Sequence, residues 1–252
     1  MKVIFDPRFL SCYCSDPAAS EHRLDKALEL LREDYPLEQA APAVDSDVLL
    51  VHNQHHLNRV RFNRQVYEMA LLSAGAAIKA AERAAAGEPA FALCRPPGHH
   101  ASPDGFWGFC YFNNIAIALE KQLQKGTINS ALVVDFDLHF GDGTNNHVNN
   151  RPAFSYYHLD GHDAKSYLEG LKKLLVNLRG VDLLGISAGF DQHSQDWGRL
   201  LDTKDYYEIG RLLGEFAREK CAGRVFAVLE GGYNPISLGE AALAFWQGIE
   251  GK

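Results

Sequence analysis

Positive charge is what this chain is shortest of. Its 252 residues carry 25 lysines and arginines against 32 aspartates and glutamates, for a formal net charge of -7. The pI is near 5.9. Such a surface offers no general electrostatic hold on nucleic acid or on anionic membranes, so neither is an expected partner. Disulfide scaffolding is also unsupported. The five cysteines, Cys12, Cys14, Cys94, Cys110 and Cys221, are an odd number at irregular spacings, and Cys12-Tyr13-Cys14 has no second thiol pair to complete a metal site. Long apolar runs are missing as well: the alanine-rich stretch from Met69 to Ala86 is interrupted by Lys79, Glu82 and Arg83, which excludes a membrane span. The start, Met1 to Asp6, reads as a strand and is charged too soon for a signal peptide, so the expected setting is reducing and cytoplasmic. Linkers, low-complexity tracts and internal repeats are absent too. One domain over residues 1–252 is therefore expected.

What the chain does have is a substantial apolar fraction, 46% of residues, arranged in two alternating patterns. Helical spacing marks Ser20–Glu33, with Ser20 as the expected N-cap, and then Arg64–Ala86, Asn113–Leu123, Ala164–Leu178, Thr203–Lys220 and Ile236–Gly248. Short apolar runs at Phe91–Cys94, Ala131–Val134, Val181–Ile186 and Val225–Leu229 read as buried strands. That alternation predicts an α/β fold with a mainly parallel sheet covered by helices on both faces.

Each of those four strands runs directly into a polar cluster. The clusters are Arg95-Pro96-Pro97-Gly98-His99-His100, Asp135-Phe136-Asp137-Leu138-His139, Ser187-Ala188-Gly189-Phe190-Asp191 and Glu230-Gly231-Gly232-Tyr233-Asn234. In open parallel sheets the crevice beyond the carboxyl ends of the strands is where ligands bind, so the four clusters should meet at one edge. If the strand continues through the second cluster, Asp135, Asp137 and His139 share one face, and two carboxylates with an imidazole on one face call for a cation. Asp137, His139 and Asp191 can supply the three protein ligands of a catalytic zinc site. His99 and His100, held after two prolines and a glycine, form with spare carboxylates at Asp135 and Asp142 a general-base device. Tyr233 follows two glycines and can reach a substrate carbonyl or the oxyanion formed from it, unless it is a buried core tyrosine.

Five segments together resemble the zinc-dependent histone deacetylase family, which includes acetylpolyamine amidohydrolases and bacterial deacetylase-like proteins. They are Arg95-Pro96-Pro97-Gly98-His99-His100-Ala101, Gly108-Phe109-Cys110-Tyr111-Phe112-Asn113, Asp135 through Thr144, Ser187-Ala188-Gly189-Phe190-Asp191 and Glu230-Gly231-Gly232-Tyr233-Asn234. They occur in family order, in wording closest to class II, from about Phe91 to the C-terminus. The resemblance implies a three-layer α/β/α sandwich of the arginase–deacetylase fold and hydrolysis of an acylated amine, such as acyl-lysine or acylpolyamine. It implies zinc on Asp137, His139 and Asp191, with iron(II), cobalt(II) or manganese(II) as open alternatives. It pairs His99 with Asp135 and His100 with Asp142, makes His100 the general base and His99 its electrostatic partner, and has Tyr233 polarise the amide carbonyl. Gly108 and Phe109 would form one wall of a channel for an acyl-lysine-like chain.

Two departures stand out. Phe140 replaces a second histidine found in many relatives. After Phe154-Ser155-Tyr156-Tyr157-His158, the usual glycine-rich loop is missing, and Leu159-Asp160-Gly161-His162-Asp163 leads straight into a helix. The second channel wall and any monovalent-cation site are therefore open. His158, His162 and His193 are expected at the site mouth, whereas His52, His55 and His56 are expected on a helix or loop face. A ureohydrolase is disfavoured, because the extra Asp/His motifs of a two-metal site are missing. A catalytically silent binding module for acyl groups or a partner is the alternative to an enzyme, and a homo-oligomer is possible.

Overall fold

The computed structural model describes residues 1–252. In chain order the elements are β1 (Lys2–Phe5), α1 (Asp25–Asp34), β2 (Leu37–Gln39), α2 (Asp45–Val48), α3 (Gln54–Arg61), α4 (Arg64–Ala85), β3 (Ala90–Ala92) and α5 (Asn114–Gln124). They continue with β4 (Ala131–Asp135), α6 (Asp142–Val148), β5 (Phe154–His158), α7 (Ala164–Asn177), β6 (Leu183–Ala188), α8 (Thr203–Lys220), β7 (Val225–Leu229) and α9 (Pro235–Glu250). Two short 3-10 turns, Pro7–Leu10 and Pro17–Ala19, lie between β1 and α1.

The seven strands form one sheet in the order β2-β1-β3-β7-β6-β4-β5, and every neighbouring pair is parallel. Helices α2 to α6 pack among themselves on one side, while α1, α7, α8 and α9 form the other layer. Strands β3, β4, β6 and β7 are buried along their whole length. Continuous apolar composition is what a strand covered on both faces requires, so these four were the ones visible as unbroken apolar runs. They also sit side by side, and because all run the same way, their polar followers emerge at one edge.

Several element boundaries differ from the sequence reading. The first helix begins at Asp25, and Ser20 does not cap it; its hydroxyl instead donates to the Pro17 carbonyl at 2.8 Å, closing the 3-10 turn. His22, with φ of 64°, breaks helical continuity between them. The strand expected at Val181–Ile186 lies two residues later, because the Asp182 carboxylate is engaged with the backbone N–H groups of Asn129 and Ser130, at 2.7 and 3.2 Å. The outer strands β2 and β5 were not anticipated. Their alternating or mixed exposure gives no unbroken apolar run to read.

Candidate active site

Strand β4 ends at Asp135, so the expected extended ladder of Asp135, Asp137 and His139 does not exist. Convergence arises instead from two successive aspartate turns: the Asp137 N–H donates to Asp135 Oδ1 and the His139 N–H to Asp137 Oδ1, both at 3.0 Å. Asp191 arrives from the loop beyond β6, and its Oδ1 accepts the Leu138 N–H at 3.0 Å. His139 Nδ1 then stands 3.6 Å from both Asp137 Oδ1 and Asp191 Oδ2. That spacing is too long for hydrogen bonds, and it suits donors sharing one ion at about 2 Å each.

Two further observations fit a cation at this point. Asp191 Oδ2 is buried without any hydrogen-bond partner, a costly state for a carboxylate oxygen. Gly189 and Gly231 press so closely on the Asp137 and Asp191 carboxylates that a Cβ on either would overlap them. Burial and the neighbouring Asp137 charge push Asp191 up to about 6. The two carboxylates raise His139 to about 10, against the opposing effect of burial. The trio thus attracts positive charge, and three oxygen and nitrogen donors fit a divalent metal.

The His99-His100 turn leaves β3 and is anchored by Glu230, whose Oε2 accepts the N–H groups of Gly98 at 2.6 Å and His99 at 3.1 Å. Burial lifts this carboxyl to about 7. His99 Nδ1 pairs with Asp135 Oδ2 at 3.0 Å and His100 Nδ1 with Asp142 Oδ1 at 2.7 Å, and the two rings lie 4.1 Å apart. Their environments separate them. Burial and the charge of His99 push His100 down to about 4, against the pull of Asp142. Burial also opposes protonation of His99, but the Asp137 and Asp135 carboxylates outweigh it and raise that ring well above the ordinary range.

These groups floor a cavity of about 260 Å³ whose walls include Pro97, Trp107, Gly108, Phe109, Trp197 and Tyr233. Gly108 and Phe109 both have positive φ, 58° and 65°, and a Cβ on Gly108 would strike the His100 ring at 2.5 Å. Phe109 meets the Tyr233 ring edge-on at 6.1 Å. Asp196 Oδ2 accepts the N–H groups of Tyr233 and Asn234 at 2.7 and 2.8 Å, and Arg23 lies 5.2 Å from the tyrosine ring centre. Burial raises the Tyr233 hydroxyl far above its usual range, so it stays protonated.

The two tryptophans, Glu230, Asp196 and Arg23 were not singled out from the sequence. Trp107 covers His100, with ring centroids 3.8 Å apart, and its indole N–H donates to Asp142 Oδ2 at 2.9 Å. Its proximity to the quoted Gly108-Phe109 motif was the available signal. The histidines expected at the mouth do not line this cavity. His158 packs edge-on against Phe140, His162 is exposed, and His193 bonds Thr203 Oγ1 at 3.1 Å and stacks on Tyr206. His52 and His56 stack on one another away from the cavity, and His55 is exposed on α3.

A three-layer sandwich whose parallel sheet gathers a metal-fitting trio and two His–Asp pairs at its central strand ends is an arginase–deacetylase-fold hydrolase. The chain belongs to the histone deacetylase family, since the histone deacetylase domain matches residues 59–170 and 159–249. It is 31% identical to a probable deacetylase of Methanothermobacter thermautotrophicus, over 82% of this chain and 76% of that protein. It is 29% identical to a histone deacetylase-like amidohydrolase of Pseudomonas aeruginosa, over 93% of this chain and 78% of the relative. An acetylpolyamine amidohydrolase of Mycoplana ramosa is 26% identical, over 88% and 75% of the two chains. The crystal structure of the HDA15 HD domain superposes with a TM-score of 0.85 at 24% identity, covering 99% of this chain and 89% of that one. The protein is accordingly a deacetylase, a hydrolase acting on amide bonds, in a metal-dependent family. No helix is long and apolar enough to cross a membrane.

Proposed function

We propose that the protein is a zinc-dependent amidohydrolase that removes an acetyl or other acyl group from an acylated amine, either acyl-lysine or acylpolyamine. Asp137, His139 and Asp191 would hold the ion, and the 3.6 Å separations around His139, with the orphaned Asp191 oxygen, carry the reading. When bound, zinc supplies Lewis acidity that polarises the scissile carbonyl and makes water a better nucleophile. The same donors would accept iron(II), cobalt(II) or manganese(II).

The chain's own groups do the rest. With Nδ1 fixed by Asp142, His100 uses Nε2 as the base that takes a proton from the attacking water and returns it to the leaving amine. Its low pKa keeps it unprotonated at neutral pH, ready for that role. His99, oriented by Asp135 and held positive, is the electrostatic partner that steadies negative charge beside it. The Tyr233 hydroxyl donates to the carbonyl oxygen as it becomes an oxyanion. Phe109 and Gly108 give the substrate chain one wall, and Trp197 gives it another.

Metal analysis and hydrolysis of a panel of acyl-lysine peptides, acylpolyamines and small acylamides test this reading. Metal-dependent turnover of at least one class, lost in Tyr233→Phe, is expected. A metal-replete protein that hydrolyses none of them would overturn it. A silent binding module finds no supporting observation, because the His99 and His100 pairs and Tyr233 are all in place.

A further inference from the structure

The Asp135 carboxylate has a partner from outside the family motifs quoted above. Tyr156 lies on β5 opposite Val133, and its phenol reaches forward along the strand to donate to Asp135 Oδ2 at 2.9 Å. That same oxygen accepts from His99 Nδ1 at 3.0 Å, while Oδ1 accepts the Asp137 N–H at 3.0 Å. Two features fix the direction of the phenol. The Gly141 N–H donates to Tyr156 Oη at 2.8 Å, which occupies the phenol's acceptor side and leaves its proton for Asp135. Gly141 has no room for a side chain, since a Cβ there would overlap the Asp135 carboxylate and lie 2.7 Å from Tyr156 Oη. Its φ of -75° is ordinary, so space and not backbone conformation demands glycine.

Phe140 completes the arrangement. Its ring meets Tyr156 edge-on at 5.7 Å and is half exposed, so it caps the phenol at the solvent side. Phe140, one of the departures from the usual family wording, thus packs on the phenol that holds the Asp135 carboxylate.

We propose that Tyr156 is a positioning residue for the hydrolytic reaction, acting through Asp135 to hold His99 in its working orientation. The inference rests on the role proposed for His99. A buried carboxylate with one oxygen shared between an imidazole and a phenol cannot rotate without breaking both bonds, so the His99 ring is held in turn. Without the phenol hydroxyl, that oxygen keeps only the imidazole, and the carboxylate gains freedom to turn.

The test uses the metal-loaded protein. Tyr156→Phe should lower kcat about tenfold or more, with KM and bound metal unchanged. In an Asp135→Ala background the same change should cost nothing further, because the acceptor of the phenol proton is already gone. An additive loss in the double variant, a loss confined to KM, or an unchanged kcat would overturn the proposal. The proton resonance of the His99 ring N–H reports the contact without turnover and should shift in Tyr156→Phe, whereas an unmoved resonance counts against the role. If wild type hydrolyses no acyl amine, the proposed activity fails, and the resonance still decides whether Tyr156 positions His99.

Discussion

The indole of Trp197 lies face to face with the phenol of Tyr233, with ring centroids 3.8 Å apart and planes within 16°. Trp197 comes from the loop after β6 and Tyr233 from the loop after β7, so the stack ties two strand ends together across the cavity. Asp196, next to Trp197 in that loop, also accepts the Tyr233 backbone N–H at 2.7 Å. Aromatic pairs of this kind contribute roughly 0.5–1.5 kcal/mol beyond the area they bury. Trp197→Ala should therefore lower kcat/KM by about twofold to tenfold, and more if the tyrosine swings out of reach. Trp197→Phe should recover most of the loss. Steady-state kinetics of the pair check this, and equal activity in Trp197→Ala and wild type would show that Tyr233 needs no such support.

Asp135 and Asp137 are two residues apart yet should fail differently. Asp137 Oδ1 stands 3.6 Å from His139 Nδ1 and its Oδ2 accepts the Gly231 N–H at 2.7 Å, whereas Asp135 touches His99, Tyr156 and backbone. Asp137→Ala should lose bound metal and all turnover. Asp135→Ala should retain metal and lose about ten- to a hundredfold in rate, the usual cost of removing a group that orients a partner. Metal content by mass spectrometry, measured beside kcat, separates the two outcomes.

This difference also shows where sequence reasoning stopped. The four central strands were readable because burial on both faces demands unbroken apolar runs, and the polar residues following them located the site edge. The way Asp137 and His139 converge was not readable in the same manner: alternation along a strand was expected, and aspartate turns are what the chain uses. Tyr156 and Trp197 carry no local pattern that separates them from core or surface aromatics, and Trp107 has only its place beside Gly108. Their roles depend on partners 15 to 36 positions away in sequence, at Asp135 and Gly141, at Asp142, and at Tyr233.

Trp107 offers a separate handle on the other His–Asp pair. Its indole N–H and the His100 imidazole bond different oxygens of Asp142, so the carboxylate is held from both sides. Hydrogen bonds to a charged group contribute about 1.5–3 kcal/mol, and half exposure of Trp107 reduces that. Trp107→Phe keeps a ring over His100 but removes the donor, so kcat should fall about threefold to tenfold. Trp107→Ala removes both and should cost more. A phenylalanine variant as active as wild type would mean that Asp142 is adequately held by His100 alone.

His52 predicts how stability should respond to acid, away from the metal-fitting residues. It is buried, its Nδ1 donates to the Ser102 carbonyl at 2.9 Å, and its Nε2 accepts the Asn113 N–H at 2.9 Å. Only the neutral ring can serve both partners, since protonation at Nε2 would set two donors against each other. Burial first, and then the stacked His56, push its pKa down to about 3. An unfolded histidine takes its proton near 6.5, so the unfolded chain binds more protons throughout the window between those values. The folded state therefore keeps its full advantage above about pH 6.5 and loses it progressively as pH falls toward 3. At pH 5 the loss should reach about 2 kcal/mol, from 1.4 kcal/mol for each unit below 6.5. Denaturant unfolding at pH 8, 6.5 and 5 should show this slope in wild type and a shallower one in His52→Gln, whose amide can also donate and accept. Parallel slopes in the two proteins would mean that His52 is not the group taking up the proton.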